Sequence, residues 1–145
     1  MSRYISEHIR RLVATRADCL CEYCLIHEHD TFFGCEVDHI ISLKHGGMTD
    51  PDNLAYACFF CNRRKGSDIG SISATDGFVR FFNPRSDLWG QHFRLEGAVI
   101  KPVTEIGELT ARILGFNDSE RNLEREILIA EKRYPSTSAL VRMQR

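Results

Sequence analysis

Four of the six cysteines form two closely spaced pairs, Cys21/Cys24 and Cys58/Cys61, each with two residues between its members. This spacing lets both thiolates of a pair reach one ion from a single tight turn, and two such turns complete a tetrahedral zinc shell. A closed shell leaves no position for substrate, so we predict a structural zinc ion. The alternative is a chance occurrence of redox-active or buried cysteines, which the matched second pair disfavours.

A second group of polar residues and glycines lies between the two pairs and just after them. In order along the chain, the group consists of Asp38-His39-Ile40, Gly46-Gly47, Asp52-Asn53-Leu54 and Asn62-Arg63-Arg64-Lys65-Gly66. Together with the cysteine pairs, this ordered set resembles the zinc-containing branch of the HNH endonuclease family over residues 19–66. Each element alone is common, and it is their order that makes the resemblance specific.

The resemblance implies a ββα-metal core that hydrolyses DNA phosphodiester bonds and leaves 5′-phosphate and 3′-hydroxyl ends. In the family the histidine of the Asp-His dyad is the general base, which implies this role for His39. An ordinary histidine pKa of about 6.5 leaves the ring ready to accept a proton near neutral pH. The resemblance also implies that Asp38 is a metal ligand and that Asn53 fixes the loop that carries the histidine.

Asn62 stands where many members of the family have histidine. Members with asparagine at this position form a variant in which the amide oxygen is the second metal ligand. Oxygen ligands from Asp38 and Asn62 favour Mg²⁺ or Mn²⁺ over Zn²⁺, Ni²⁺ or Co²⁺. The resemblance therefore implies two cations, a permanent structural Zn²⁺ and an exchangeable catalytic Mg²⁺ or Mn²⁺.

Several of these residues also have simpler interpretations. An isolated Asp-His pair is more often a partly buried polar pair than a catalytic dyad, and the surrounding motifs reverse that preference here. The basic run Arg63, Arg64 and Lys65 is predicted to contact DNA phosphates, with a solvated helix end as the alternative. The remaining candidates are interpreted as ordinary buried or solvated residues: Cys19, Cys35, His27, His29, Lys44 and His45.

The composition bounds the class of protein. The 145 residues are 43% hydrophobic and 27% charged, which suits one folded domain. No apolar run approaches the ~20 residues of a membrane span, and the charged first twelve residues do not resemble a secretory signal, so we expect a cytoplasmic protein. Because the net charge is −1, we expect modest, salt-sensitive affinity for DNA, carried by a local basic patch.

The elements that must position the candidate residues are predicted from periodicity and turn signals. Residues 2–16 are predicted as an amphipathic helix with Ile5, Ile9, Leu12 and Val13 on one face. Short strands are expected at 35–40 and 54–57, separated by a turn-rich loop over 44–53. A helix is expected over 58–65, with Gly66 ending it.

Residues 67–145 are predicted as a C-terminal extension, which loosely resembles the tail of small bacterial HNH proteins. Strands are expected at 77–82 and 89–95, and helices over 104–114 and 120–134. The last helix is predicted to begin with a capping box of Asn117 and Glu120, and the residues after Pro135 to be frayed. Its predicted inward face consists of Leu123, Ile127, Ala130 and Tyr134. The aromatic residues interpreted as core, rather than as base-stacking groups, are Phe78, Phe82, Trp89 and Phe93.

We therefore predict an α+β fold for residues 1–145 as a single domain. It has a zinc-stapled ββα core, an N-terminal helix and a C-terminal extension of a strand and two helices. DNA is the predicted partner. The alternatives are a non-catalytic zinc-finger-like module that binds nucleic acid or protein, and an inactive HNH relative kept for assembly. Asp38, His39 and Asn53 favour the nuclease, because a binding module has no need of them.

Overall fold

An antiparallel hairpin followed by a helix lies at the centre of the computed structural model, which describes residues 4–145. Strand β1 (Cys35–His39) pairs with β2 (Leu54–Cys58), and helix α2 (Phe59–Lys65) begins directly after β2. The register sets Cys35 opposite Cys58 and His39 opposite Leu54. The predicted ββα core is therefore confirmed, and each strand ends within about one residue of its expected limit.

Two residues with special roles set the limits of α2. Cys58 is extended, and its Sγ accepts a hydrogen bond from the backbone N–H of Cys61 at 3.5 Å. The second cysteine pair is thus also the N-cap of the helix. Gly66 has a φ of +54°, which L side chains rarely adopt, and it ends the helix as predicted.

Helix α1 (Glu7–Arg16) packs against β2. It begins after Ser6, whose hydroxyl accepts a hydrogen bond from the backbone N–H of Ile9 at 3.2 Å. This N-cap starts the helix later than the predicted start at Ser2, and Ser2 itself lies outside the described residues. At the other end, Arg16 donates hydrogen bonds to the carbonyl oxygens of Pro51 and Leu54, so α1 also fixes the start of β2.

The extension contains two more hairpins and four more helices. Strands β3 (Gly70–Ser73) and β4 (Gly77–Arg80) form one hairpin, and β5 (Phe93–Glu96) and β6 (Val99–Pro102) form the other. The helices are α3 (Trp89–His92), α4 (Glu105–Ile113), α5 (Ser119–Ala130) and α6 (Thr137–Met143). The mixed α/β class is as predicted, but the extension is richer than one strand and two helices.

The predicted strand over residues 89–95 is wrong in its first half, because residues 89–92 form α3. Tertiary contacts override the alternating pattern there. The indole Nε1 of Trp89 donates to the carbonyl oxygen of Tyr23 at 2.8 Å. Gly90 lies so close to the chain after α6 that a Cβ would sit 2.4 Å from the Arg145 carbonyl oxygen.

The inward face of α5 also differs from the prediction. Leu123 and Ile127 are 55% and 51% exposed, whereas Arg121, Arg125 and Leu128 are buried. Burial of the two arginines is possible because each guanidinium has partners. Arg125 donates to the carbonyl oxygens of Ala98 and Phe116, and Arg121 contacts cysteine sulfurs.

The start of α5 is a further correction. Its N-cap is Asp118, not Asn117. The Asn117 side chain instead forms two hydrogen bonds with the backbone of Ile100, accepting from its N–H and donating to its carbonyl oxygen. The expected capping box with Glu120 is therefore wrong, because the amide of Asn117 joins β6 to α5.

One cluster of buried side chains runs from the first cysteine pair through the extension to α6. Phe82, Trp89 and Phe93 belong to it as predicted, whereas Phe78 is 57% exposed on β4 and was wrongly assigned to the core. The C-terminal residues are not frayed, since α6 buries Ala139 completely. Among residues 4–145, no helix has the length and apolar character of a membrane span.

Candidate metal centres and active site

The two cysteine pairs meet in the core. The four sulfur atoms of Cys21, Cys24, Cys58 and Cys61 lie within 4.8 Å of one another, and all four residues are buried. A tetrahedral zinc–thiolate shell with bonds of about 2.3 Å places its sulfurs about 3.8 Å apart. Cys24 Sγ and Cys58 Sγ are 3.8 Å apart. The donor set therefore fits a structural zinc ion with no open position.

Backbone amides support this arrangement. The N–H of Cys24 donates to Cys21 Sγ at 3.5 Å, which matches the bond from Cys61 N–H to Cys58 Sγ. Leu25, directly after the first pair, has a φ of +64°, and its N–H donates to the carbonyl oxygen of Cys21 at 2.8 Å, which closes the turn. Each pair is thus a turn whose N–H groups stabilise negative charge on sulfur.

Arg121 completes the surroundings of the sulfurs. Its Nη2 lies 3.7 Å from Cys61 Sγ and 3.8 Å from Cys58 Sγ, and its guanidinium stacks over the ring of Phe60 at 5.3 Å. Zn²⁺ with four thiolates carries a net charge of −2, and a buried cation beside it offsets part of this negative charge. This residue was missed by sequence reasoning. The signal was the spacing of Arg121, Arg125 and Leu128 on one helical face.

The other cysteines and histidines lie outside the sulfur cluster, as interpreted from the sequence. Cys19 and Cys35 are free thiols, and burial raises the pKa of Cys35, which keeps it protonated. His27 and His29 contact each other, because the N–H of His29 donates to His27 Nδ1 at 3.1 Å. The His27 ring caps a short 3-10 turn, and neither histidine joins the four cysteines.

His39 ends β1 at the edge of the loop that leads to β2. Its Nε2 is hydrogen-bonded to the Thr49 hydroxyl at 2.9 Å. Its carbonyl oxygen accepts a hydrogen bond from Lys65 Nζ, also at 2.9 Å. Thr49 was not singled out from the sequence, and its contact fixes the orientation of the imidazole ring.

Asp38 is largely buried beside Lys65. The ammonium of Lys65 lies 3.1 Å from Asp38 Oδ2. Burial raises the pKa of the Asp38 carboxyl, and the nearby positive charge of Lys65 opposes that rise. Asp38 is therefore a carboxyl group in low-dielectric surroundings, and the adjacent Lys65 cation favours its ionised form.

The basic run splits three ways. Arg63 is exposed, with its guanidinium 5.7 Å from the centre of the Phe59 ring. Arg64 forms an ion pair with Asp118 at the start of α5. Lys65 is only 2% exposed, so the expectation that its side chain contacts DNA phosphates at the surface is wrong. The helix ends with this lysine turned inward because it neutralises Asp38.

Asn53 braces the loop that follows His39. Its Oδ1 accepts from the N–H of Ile41, and its Nδ2 donates to the carbonyl oxygens of Ile41 and Met48, each at 2.9 Å. Gly47 packs within this brace, since a Cβ there would lie 1.7 Å from the Ile41 oxygen and 2.8 Å from Asn53 Nδ2. The bracing contacts expected of Asn53 are present, and its part in catalysis stays a prediction.

Asn62 faces β1 from the neighbouring helix. Its Nδ2 lies 3.5 Å from Glu36 Oε2. Glu36 and Asp38 share one face of β1 because side chains alternate along a strand, and Asn62 and Lys65 share one side of α2 because they are three residues apart. The two observed contacts, Glu36 with Asn62 and Asp38 with Lys65, run across this interface. Glu36 is a further acidic group that sequence reasoning missed.

Comparison with known protein families identifies the central segment. Residues 21–68 match the family model described as HNH endonuclease. This segment is similar to that family. No curated protein and no solved structure matches the chain. The HNH match includes all four clustered cysteines and every predicted catalytic and metal-binding residue.

The extension supplies groups that the HNH domain lacks. Arg121 reaches the sulfurs from α5, and the Tyr134 hydroxyl donates to the carbonyl oxygen of Cys24 at 2.9 Å. Arg85 forms an ion pair with the buried carboxylate of Glu22, which also accepts a hydrogen bond from the N–H of Tyr56. Arg121, Tyr134 and Arg85 all lie outside residues 21–68. Arg121 contacts the second cysteine pair, whereas Tyr134 and Arg85 contact residues of the first turn.

Proposed function

We propose that this protein is a metal-dependent endonuclease that hydrolyses DNA phosphodiester bonds, with His39 as the general base. The observation that carries the proposal is the placement of His39 at the end of β1 of an HNH domain, with its ring fixed by Thr49 and its loop braced by Asn53. A base must be held in one orientation to take a proton from an attacking water. We propose that residues 1–145 act as one domain.

Asp38 and Asn62 are the proposed ligands of a Mg²⁺ or Mn²⁺ ion. When bound, this ion would supply positive charge that stabilises the phosphate and the leaving oxygen. The observations that support it are the oxygen atoms that Asp38 and Asn62 offer from the adjacent β1 and α2, each with a neighbour across that interface. Arg63 stays exposed on α2, where it can contact a DNA phosphate.

Plasmid nicking with Mg²⁺ or Mn²⁺ tests this function. Wild type is expected to convert supercoiled plasmid to nicked or linear forms, and His39→Ala to lose at least a hundredfold in rate. The matched control is His45→Ala, because His45 is an exposed histidine of the same loop. Equal cleavage by wild type and His39→Ala, or no cleavage with any divalent ion, would show the proposal to be wrong.

A second candidate function is a non-catalytic zinc module that binds nucleic acid or protein. The Lys65–Asp38 ion pair favours it, because the lysine neutralises the carboxylate without a second metal ion. The same assay separates the two functions. A binding module would retain nucleic acid in a gel-shift experiment and leave the plasmid intact under all divalent ions.

A further inference from the structure

Two exposed phenylalanines and a half-buried one form an aromatic ridge, defined as Phe32, Phe33 and Phe59. Phe32 is 86% exposed and Phe33 is 59% exposed. The ring centres of Phe32 and Phe33 are 4.7 Å apart, and those of Phe33 and Phe59 are 4.5 Å apart. Monomeric proteins rarely expose large contiguous apolar patches, and such patches mark interaction sites.

The ridge adjoins Asn62, one proposed ligand of the catalytic cation, and its neighbour Glu36. Phe33 lies three residues before Glu36, and Phe59 lies three residues before Asn62 on α2. Glu36 and Asn62 are themselves 3.5 Å apart across the interface between β1 and α2. Phe59 therefore lies about one helical turn from Asn62 on α2.

The charges around the ridge favour contact with bases over contact with phosphates alone. Arg63 is exposed with its guanidinium over the Phe59 ring, so one positive charge borders the ridge on α2. Glu36 brings an exposed negative charge on the other side, and the whole chain has a net charge of −1. A single cation beside Glu36 is a weak surface for binding that rests on phosphate contacts alone. Stacking of bases on aromatic rings adds about 1–3 kcal/mol per base to such a contact.

We propose that the aromatic ridge stacks against unpaired bases, so that the substrate is DNA with a single-stranded segment beside the cleaved bond. Base faces are covered in a duplex and exposed in a single strand, a flap or a junction. Arg63 would contact the backbone of the strand whose bases lie on the ridge. This inference rests on the proposed nuclease function for its biological meaning, but the binding preference is measurable without cleavage.

Fluorescence anisotropy of labelled oligonucleotides tests the ridge. A 20-nucleotide single strand and the duplex of the same sequence are titrated with His39→Ala protein in Mg²⁺, so that cleavage does not interfere. We expect the single strand to bind at least tenfold more tightly than the duplex. Adding Phe32→Ala and Phe33→Ala should remove that preference, and both side chains are exposed enough to be replaced without unfolding.

The matched control is Phe78→Ala, which removes an aromatic ring of similar exposure on the β3–β4 hairpin. Its affinity for the single strand should stay within twofold of the parent. Equal binding of single strand and duplex, or an unchanged preference after loss of Phe32 and Phe33, would overturn the inference. A change in oligomeric state of the ridge variant, measured by light scattering, would instead assign the ridge to protein contact and also overturn it.

The two proposals fail in different ways. If wild type and His39→Ala nick plasmid equally, the catalytic assignment is wrong, and the anisotropy result still reports on the ridge. If nicking requires His39 but single strand and duplex bind equally, the nuclease stands and the ridge has no part in substrate choice.

Discussion

The guanidinium of Arg121 lies 3.7 Å from the sulfur of Cys61, although the two residues are 60 positions apart in the chain. The contact places the charge of a C-terminal helix against the four-thiolate cluster. A closed zinc shell excludes water and substrate, but its excess negative charge still needs compensation in the core. Helix α5 supplies that compensation from outside the matched HNH segment.

Arg121→Met should lower the affinity of the four-cysteine site for zinc. Loss of a group hydrogen-bonded to metal ligands typically lowers metal affinity about 10–100-fold, so we expect zinc to transfer to a colorimetric chelator at correspondingly lower chelator concentration. Arg121→Lys, which keeps the charge, should fall between the variant and wild type. Arg125→Met is the control, because it removes a buried arginine of the same helix that binds carbonyl oxygens. Equal zinc loss from both methionine variants would mean that only stability has changed.

Cys61→Ser should prevent folding. Zinc binding contributes roughly 10–16 kcal/mol in small cysteine-rich domains, more than the whole stability of many proteins. We expect loss of bound zinc by elemental analysis together with loss of the cooperative thermal transition. Cys19→Ser serves as the control, because Cys19 lies outside the sulfur cluster. This variant should keep both the bound zinc and the cooperative thermal transition. An unchanged melting temperature in zinc-free Cys61→Ser protein would contradict a structural role for the ion.

Lys65→Met should destabilise the zinc-loaded protein in the absence of Mg²⁺ by about 3 kcal/mol, because removing one partner of a buried pair leaves an uncompensated charge. If Asp38 also binds a divalent cation, Mg²⁺ should raise the melting temperature of this variant more than that of wild type. Burial raises the pKa of Asp38, so protons should compete with Mg²⁺ as the pH falls through that pKa, and the Mg²⁺ effect should shrink.

The control for this experiment is Lys101→Met, which removes an exposed ion pair with Glu96 and should change stability little. Calorimetry with and without Mg²⁺, at several pH values, gives the melting temperature of each variant and its change on adding Mg²⁺. If Mg²⁺ raises the melting temperatures of Lys65→Met and wild type by the same amount, Asp38 is not a ligand of the ion.

Thr49→Val should slow plasmid nicking about tenfold while leaving the fold intact, because the hydroxyl that orients the His39 ring is lost at nearly constant volume. The loss should lie in kcat more than in KM, since the threonine orients the proposed general base and has no proposed contact with the substrate. Thr49→Ser, which retains the hydroxyl, should recover most of the rate. Failure of the serine variant to recover it would argue against a positioning role.

The central fold was predictable because its signals are local. The two-residue spacing within each cysteine pair, the glycines of the loop and Gly66 each act within a few positions. The loop geometry around Asn53 also follows from local residues, since its partners Ile41 and Met48 are at most twelve positions away.

The extension was less predictable because its contacts are distant in sequence. Trp89 becomes helical through a hydrogen bond 66 positions away, at Tyr23. Arg121 is buried on α5 because cysteine sulfurs in another part of the chain accept its charge. The prediction placed Leu123 on the inward face because of its hydrophobicity, but the side chain is exposed. No local pattern shows that an arginine has a buried partner elsewhere in the chain.

The basic run shows the same limit at the candidate site. Three consecutive cations suggested one phosphate-binding surface, but helical geometry points them in different directions. Arg64 forms an ion pair with Asp118, and Lys65 forms one with Asp38. Arg63 remains exposed at the surface. The modest net charge of the chain is consistent with this reduced positive surface.

The hydrogen bonds from Trp89 and Tyr134 to the carbonyl oxygens of Tyr23 and Cys24 bear on how this motif could be transplanted. A graft of residues 21–68 onto another scaffold would lose both donors, and the buried carbonyls would be left unsatisfied. The portable unit in this protein is therefore larger than the recognisable motif. Any recombination, natural or designed, would have to exchange the HNH motif together with the helices that close over its first turn.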